Sequence, residues 1–103
     1  MPPTAAPSAP CGPIRHDELT ETTVDLDWLP PKDDGGARVT GYTVYMSVDN
    51  GEFVEIAQTP SANLKVKKMK TGSKHVFKVI AHNSVGKSKA LESDTIIPLA
   101  KKS

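Results

Sequence analysis

Apolar and acidic residues alternate strictly between Thr23 and Leu29: Val24, Leu26 and Trp28 are separated by Asp25 and Asp27. A period of two describes a strand with one dry face and one wet face. Pro30 and Pro31 follow and cannot donate to a ladder, so this strand ends there. A weaker strand is expected before it, from Ile14 to Leu19, with Ile14 and Leu19 turned inward. A third runs from Val39 to Ser47, with Tyr42, Val44 and Met46 on one parity and Thr43, Tyr45 and Ser47 on the other. Asp49-Asn50-Gly51 marks a hairpin, because Asn and Gly tolerate positive φ, and a fourth strand from Glu52 to Ala57 should follow.

Pro60 and Ser61 break the chain before a fifth strand, Asn63 to Lys67, in which Leu64 and Val66 alternate with lysines. Thr71-Gly72-Ser73 turns into the most β-like stretch, Lys74 to His82, with His75, Phe77, Val79 and Ala81 facing in. A last strand from Lys87 to Ile97 is expected to have an irregular middle. No segment carries a helical period, and turn signals recur about every ten residues. The pattern therefore predicts an all-β, immunoglobulin-like antiparallel sandwich of seven strands, with the chain ends at opposite poles. Met1 to Pro10 holds four prolines and no charge, which predicts a disordered Pro/Ala-rich linker. The folded domain is then 11–98, followed by a C-terminal linker at 99–103.

Composition narrows the function. The 103 residues suffice for one ordinary domain. Five aromatic residues suit a thin two-layer core better than a wide pocket. No run approaches roughly 18 apolar residues, so no membrane span is expected. The N-terminus lacks a charged start and apolar run of the secretory kind. One cysteine, Cys11, excludes an internal disulfide, and no glycosylation sequon occurs, which together lean towards a cytoplasmic setting with an extracellular one as the alternative. Net charge is +1, against a strongly basic nucleic-acid binder. The charges are sorted, however: residues 1–56 hold ten acids and three bases, residues 57–103 two acids and ten bases. Early strands pairing with late ones would bring the two sets together.

The motifs as a set resemble a fibronectin type III domain. They run Pro13, Leu19, Val24-x-Leu26-x-Trp28, Pro30-Pro31, Asp34-Gly35-Gly36, Val39-x-Gly41-Tyr42-x-Val44, Phe53, Val66, Met69-x-x-Gly72-x-x-His75-x-Phe77-x-Val79-x-Ala81-x-Asn83, Gly86-x-Ser88 and Ser93. An ordinary immunoglobulin domain sets its Trp on the third strand against a cysteine pair. Here Trp28 lies on the second strand and no pair exists. The Pro-Pro-x-Asp-Asp-Gly-Gly break followed by Gly-Tyr is similar to the type III domains of giant intracellular muscle proteins (titin, twitchin, projectin) and of myosin-binding proteins. That resemblance implies a non-catalytic structural and protein-interaction module in a sarcomeric or cytoskeletal array. Its implied partners are neighbouring immunoglobulin or type III domains and myosin or actin filaments, with the isolated domain a monomer. The alternatives are an extracellular adhesion or receptor module, and a regulatory domain flanking a muscle-type kinase. Where the family carries a corner tyrosine this chain has His75, so His75→Tyr is expected to restore a hydrogen bond worth about 0.5–1.5 kcal/mol.

Candidate chemistry is sparse. Cys11, His16, His75 and His82 lie far apart in sequence, and structural zinc wants four ligands, so neither a metal nor a cofactor is expected. Asp33 and Asp34 beside two glycines supply too few oxygens for calcium and read as a turn. Arg-Gly-Asp is absent from the loop His82 to Lys87. Two surfaces stand out. Tyr45, Val54, Val76, Lys78 and Ile80 are expected to point outward as a candidate interaction face. Lys68, Lys70 and Lys74 cluster near one pole as a candidate patch for an acidic partner, whereas Lys65 and Lys67 should pair across strands with Asp25 and Asp27.

Overall fold

Alternation decides the layers. Val24, Leu26 and Trp28 are buried while Asp25 and Asp27 stay half-exposed between them. In the computed structural model, which describes residues 4–99, the elements are β1 (Cys11–Asp17), β2 (Val24–Leu29), β3 (Gly41–Val48), β4 (Val54–Thr59), β5 (Asn63–Val66), β6 (His75–His82) and β7 (Leu91–Glu92). They form two antiparallel sheets, ordered β1-β2-β5 and β4-β3-β6-β7. The expected linker at 99–103 lies outside the described residues except for Leu99, as do residues 1–3 of the lead-in.

Between the sheets, Ile14, Val24, Leu26, Trp28, Val66 and Met69 meet Tyr42, Val44, Phe77, Val79, Ala81 and Ile96. Trp28 and Tyr42 touch edge to face, ring centroids 5.5 Å apart at 75°. Burial pushes the pKa of the Tyr42 phenol up. Among the described residues the buried Trp28 Nε1 has no hydrogen-bond partner, so this indole acts through its volume and its ring contact.

Several boundaries differ from the periodic reading, each for a local reason. β1 ends at Asp17 because Glu18 takes φ +51 and turns the chain. Leu19 is therefore 41% exposed instead of inward. At the hairpin, Asp49 and Asn50 carry the positive φ values, 51 and 62, and the Gly51 N–H donates to Val48 O at 2.9 Å. That is a type I′ turn one residue earlier than the glycine suggested. The regular part of β7 is its middle. On either side a serine replaces ladder geometry: Ser88 N–H donates to Ala81 O at 2.7 Å while Ala81 N–H donates to Ser88 Oγ at 2.8 Å. Ser93 does the same with Phe77, at 2.8 and 2.9 Å. Between β2 and its neighbours, Asp25 faces Lys65 as expected, but Asp27 stands between Asn63 and Arg15. Lys67 follows the end of β5.

His75 is completely buried and stacks on Phe77, centroids 6.5 Å apart. Its Nδ1 donates to Ser73 O at 2.9 Å, and its Nε2 accepts the Lys70 N–H at 3.2 Å. The carbonyl can only accept and the amide can only donate, so the partners fix one neutral tautomer. This corrects the expectation for His75→Tyr. The imidazole already closes the corner with two hydrogen bonds, and one hydroxyl on a longer ring cannot replace both.

Three stability outcomes follow from this packing. Trp28→Ala opens the centre of the core and should cost about 3–5 kcal/mol in equilibrium denaturation. His75→Phe keeps the ring but leaves a buried N–H and C=O unpaired, a loss of about 1–3 kcal/mol. His75→Tyr should likewise lower the denaturation midpoint, and a raised midpoint would show that the corner is not closed by the imidazole.

Candidate interaction surfaces

Register sets what the outer face of the four-stranded sheet displays. Across it, Gln58, Thr43 and Ile80 form one row, and Glu55, Tyr45, Lys78 and Glu92 the next, with Ser47 and Val76 in a third. Tyr45 and Val76 are half-buried, as surface-lining side chains can be. Lys78 is engaged: its Nζ lies 4.1 Å from the centre of the Phe53 ring and 3.6 Å from Glu92 Oε1. Phe53 and Glu92 thus belong to this face, which residue spacing did not reveal because the first lies in the loop before β4 and the second in a two-residue strand.

Of the remaining residues of the expected face, Ile80 is nearly covered and Val54 lies on the other side of the sheet. Ile80 points outward by alternation between the buried Val79 and Ala81, yet is itself 9% exposed beside a Thr43 at 2%. Val54 pairs with Met46, and cross-strand partners share a face, so Val54 is on the core side of the sheet. The bulge against Val44 and Tyr45 shifts the register of β4 by one residue. Being on an edge strand, Val54 remains 61% exposed.

Lys68, Lys70 and Lys74 are all exposed at the pole where β6 begins. Lys68 sits in the left-handed region at φ 61. An acid intrudes on this patch. Asp49 N–H donates to Lys74 O at 2.8 Å, and Lys74 N–H donates back to Asp49 Oδ1 at 3.0 Å. That backbone bond first, with a Ser73 hydrogen bond and the Lys70 charge adding to it, holds the Asp49 carboxyl below its usual range against the opposing effect of burial. The chain leaves from the same pole, where Gly72 N–H donates to Pro98 O at 2.6 Å.

At the opposite pole the Asp33 and Asp34 carboxylates are bound to their own turn. Asp33 Oδ1 accepts from Gly35 N–H at 2.8 Å and Asp34 Oδ1 from Gly36 N–H at 2.9 Å. Gly35 and Gly36 take φ 74 and 86. His82 Nδ1 lies 3.1 Å from Thr40 Oγ1. Among the described residues, no three His, Cys, Asp or Glu side chains converge as a metal site. Surface recesses are open, one among Leu19, Thr20, Glu21, Thr22 and Leu99, another along Asp17, Asp25, Asp27 and Lys65.

Asp49 gives a pH test. Its folded pKa is depressed, so its contribution is present above the unfolded carboxylate range and is lost as pH falls through the folded value. Asp49→Asn keeps the turn and an acceptor oxygen while removing the charge. Urea denaturation should find the variant less stable at neutral pH, with the two proteins converging in acid.

Comparison with known proteins agrees with this geometry. The fibronectin type III domain model matches residues 6–97. The titin homolog of Caenorhabditis elegans is 34% identical over 88 residues, covering 84% of this chain and, rounded, 0% of that protein. Cardiac-type myosin-binding protein C of Rattus norvegicus is 34% identical over 93 residues, covering 82% of this chain and 7% of that protein. Among solved structures, the twitchin kinase region from C. elegans superposes with a TM-score of 0.89 at 26% identity, covering 96% of this chain and 18% of that one. The chain thus spans 7% or less of the two curated relatives. With its two antiparallel sheets and this match along most of its length, the chain belongs to the fibronectin type III family.

Proposed function

We propose that the chain is a non-catalytic structural and protein-interaction module of a larger multidomain protein of the sarcomeric or cytoskeletal kind, working in the cytoplasm. The placement of its two ends carries this reading. The lead-in meets the C-terminal end of β6 at Asn83, while Pro98 leaves beside Gly72, just before β6 begins. Eight residues of strand separate these poles by about 26 Å. A packed layer of side chains fills the interior, which suits a spacer between neighbours. Kinship with titin-type and myosin-binding relatives supports the muscle setting.

Neighbouring immunoglobulin or type III domains are the first partners, and myosin or actin filaments the second. Of the two candidate surfaces, the exposed Lys68, Lys70 and Lys74 suit an acidic filament partner, with Asp49 limiting the charge. The sheet face offers Tyr45 and Val76, because Lys78 is already held by Phe53 and Glu92. A kinase-flanking role is the second reading, favoured by the likeness to a solved chain whose description places a type III domain ahead of a kinase.

Antibodies raised against this chain test the setting. Permeabilised muscle cells should show periodic striated labelling, with intact cells unlabelled. Labelling of intact cell surfaces would overturn the cytoplasmic reading in favour of an adhesion module. Cosedimentation with purified myosin and actin filaments then assigns the partner, and binding that survives Lys68→Glu, Lys70→Glu and Lys74→Glu together would remove the lysine patch from it.

A further inference from the structure

Composition presents residues 4–10 as a segment unable to pack, but their contacts are specific. Ala5 N–H donates to Gly35 O at 2.7 Å and Ser8 N–H to Asp33 O at 2.8 Å. Asp33 N–H returns a bond to Ser8 Oγ at 3.2 Å. Moving from Ala5 to Ser8 advances the lead-in while its partner steps back from Gly35 to Asp33, as in an antiparallel pair. Pro7 and Pro10 are buried. Proline loses little backbone freedom when it docks, because its φ is already fixed.

Asn83 ties the segment to the rest of the pole. Its Nδ2 donates to Ala5 O at 2.8 Å and Asp34 O at 2.9 Å, and lies 3.2 Å from Ala37 O. Its Oδ1 accepts from Val85 N–H at 2.8 Å and Gly86 N–H at 3.0 Å. One buried side chain therefore joins the lead-in, the turn after β2 and the loop after β6. Gly35 is needed for room as well as for its φ: a Cβ there would collide with the Ala5 carbonyl. A Cβ on Gly86 would meet Ala6 Cβ only in ordinary van der Waals contact, at 3.5 Å.

We propose that the lead-in is a docked strap, held by Gly35 and Asn83, that fixes the direction in which the chain enters this domain. A free Pro/Ala-rich linker would let a preceding unit swing about Pro10. A strap bonded at Ala5 and Ser8 removes that pivot at Pro10 and makes the N-terminal joint stiff. The consequence for a preceding unit rests on the module reading above; the docking itself does not.

Amide exchange and 15N relaxation on the whole labelled chain test it. The Ala5 and Ser8 amides should show heteronuclear NOE values like those of β3, and exchange at least about tenfold slower than in an unstructured peptide. Gly35→Ala should release both amides while those of Val44 and Val79 stay protected, reporting an intact core. Should that variant not fold, Ala5→Pro removes one strap donor without touching the core, and Ser8 protection should fall about tenfold. Free-peptide exchange and low NOE at Ala5 and Ser8 in the unaltered chain would overturn the strap, as would Ser8 protection unchanged in Ala5→Pro. Either result leaves the module reading standing, since cellular labelling decides that separately.

Discussion

Among the described residues no hydrogen-bonded ladder joins the two sheets, so their union depends on side chains meeting across the interior. Trp28 from β2 and Tyr42 from β3 form an edge-to-face contact within that interior. Phe77, Val79 and Leu26 continue it, each exposed by 1% or less. Packing of this kind is strong in sum and intolerant of voids, because the surrounding strands cannot collapse into a gap without breaking their ladders. Trp28 Nε1, without a partner among the described residues, fits this view: the indole contributes shape and ring contact.

Where the ladders stop, side chains take over the backbone's hydrogen bonding. Ser88 and Ser93 lend hydroxyl oxygens to β6, His75 bridges Lys70 and Ser73, and Asn83 closes the loop after β6. Each satisfies backbone groups that burial would otherwise leave costly. The same devices set the poles. Irregular segments held this firmly become fixed platforms for whatever adjoins them, and that links the core to the proposed spacing role.

Much of the sandwich was legible in residues alone. The parity of β2, β3 and β6 follows from strict alternation, and the buried sets Val24-Leu26-Trp28 and Phe77-Val79-Ala81 match it. Alternation fails where one residue changes the count. The bulge in β4 reassigns Val54 to the face of Met46, and Glu18 at φ 51 exposes Leu19. Neither has a local signal, because Glu at positive φ and a bulged edge strand are imposed by what lies beside them. The candidate face was legible at Tyr45, Val76 and Lys78 and hidden at Phe53 and Glu92, which reach Lys78 only through pairing.

The order of residues by itself determined an all-β chain with a tryptophan-centred core and a rigid Pro-Pro-to-Gly-Gly break, since periodicity and backbone permissiveness act over a few neighbours. Tertiary structure alone decided that His75 is a doubly bonded corner, that Lys78 is held between a ring and a carboxylate, and that Ala5 and Ser8 lie against a turn 25 to 30 residues away in sequence. Those outcomes depend on which distant groups become neighbours, and a hydrogen bond exists only once both its partners have been brought within reach.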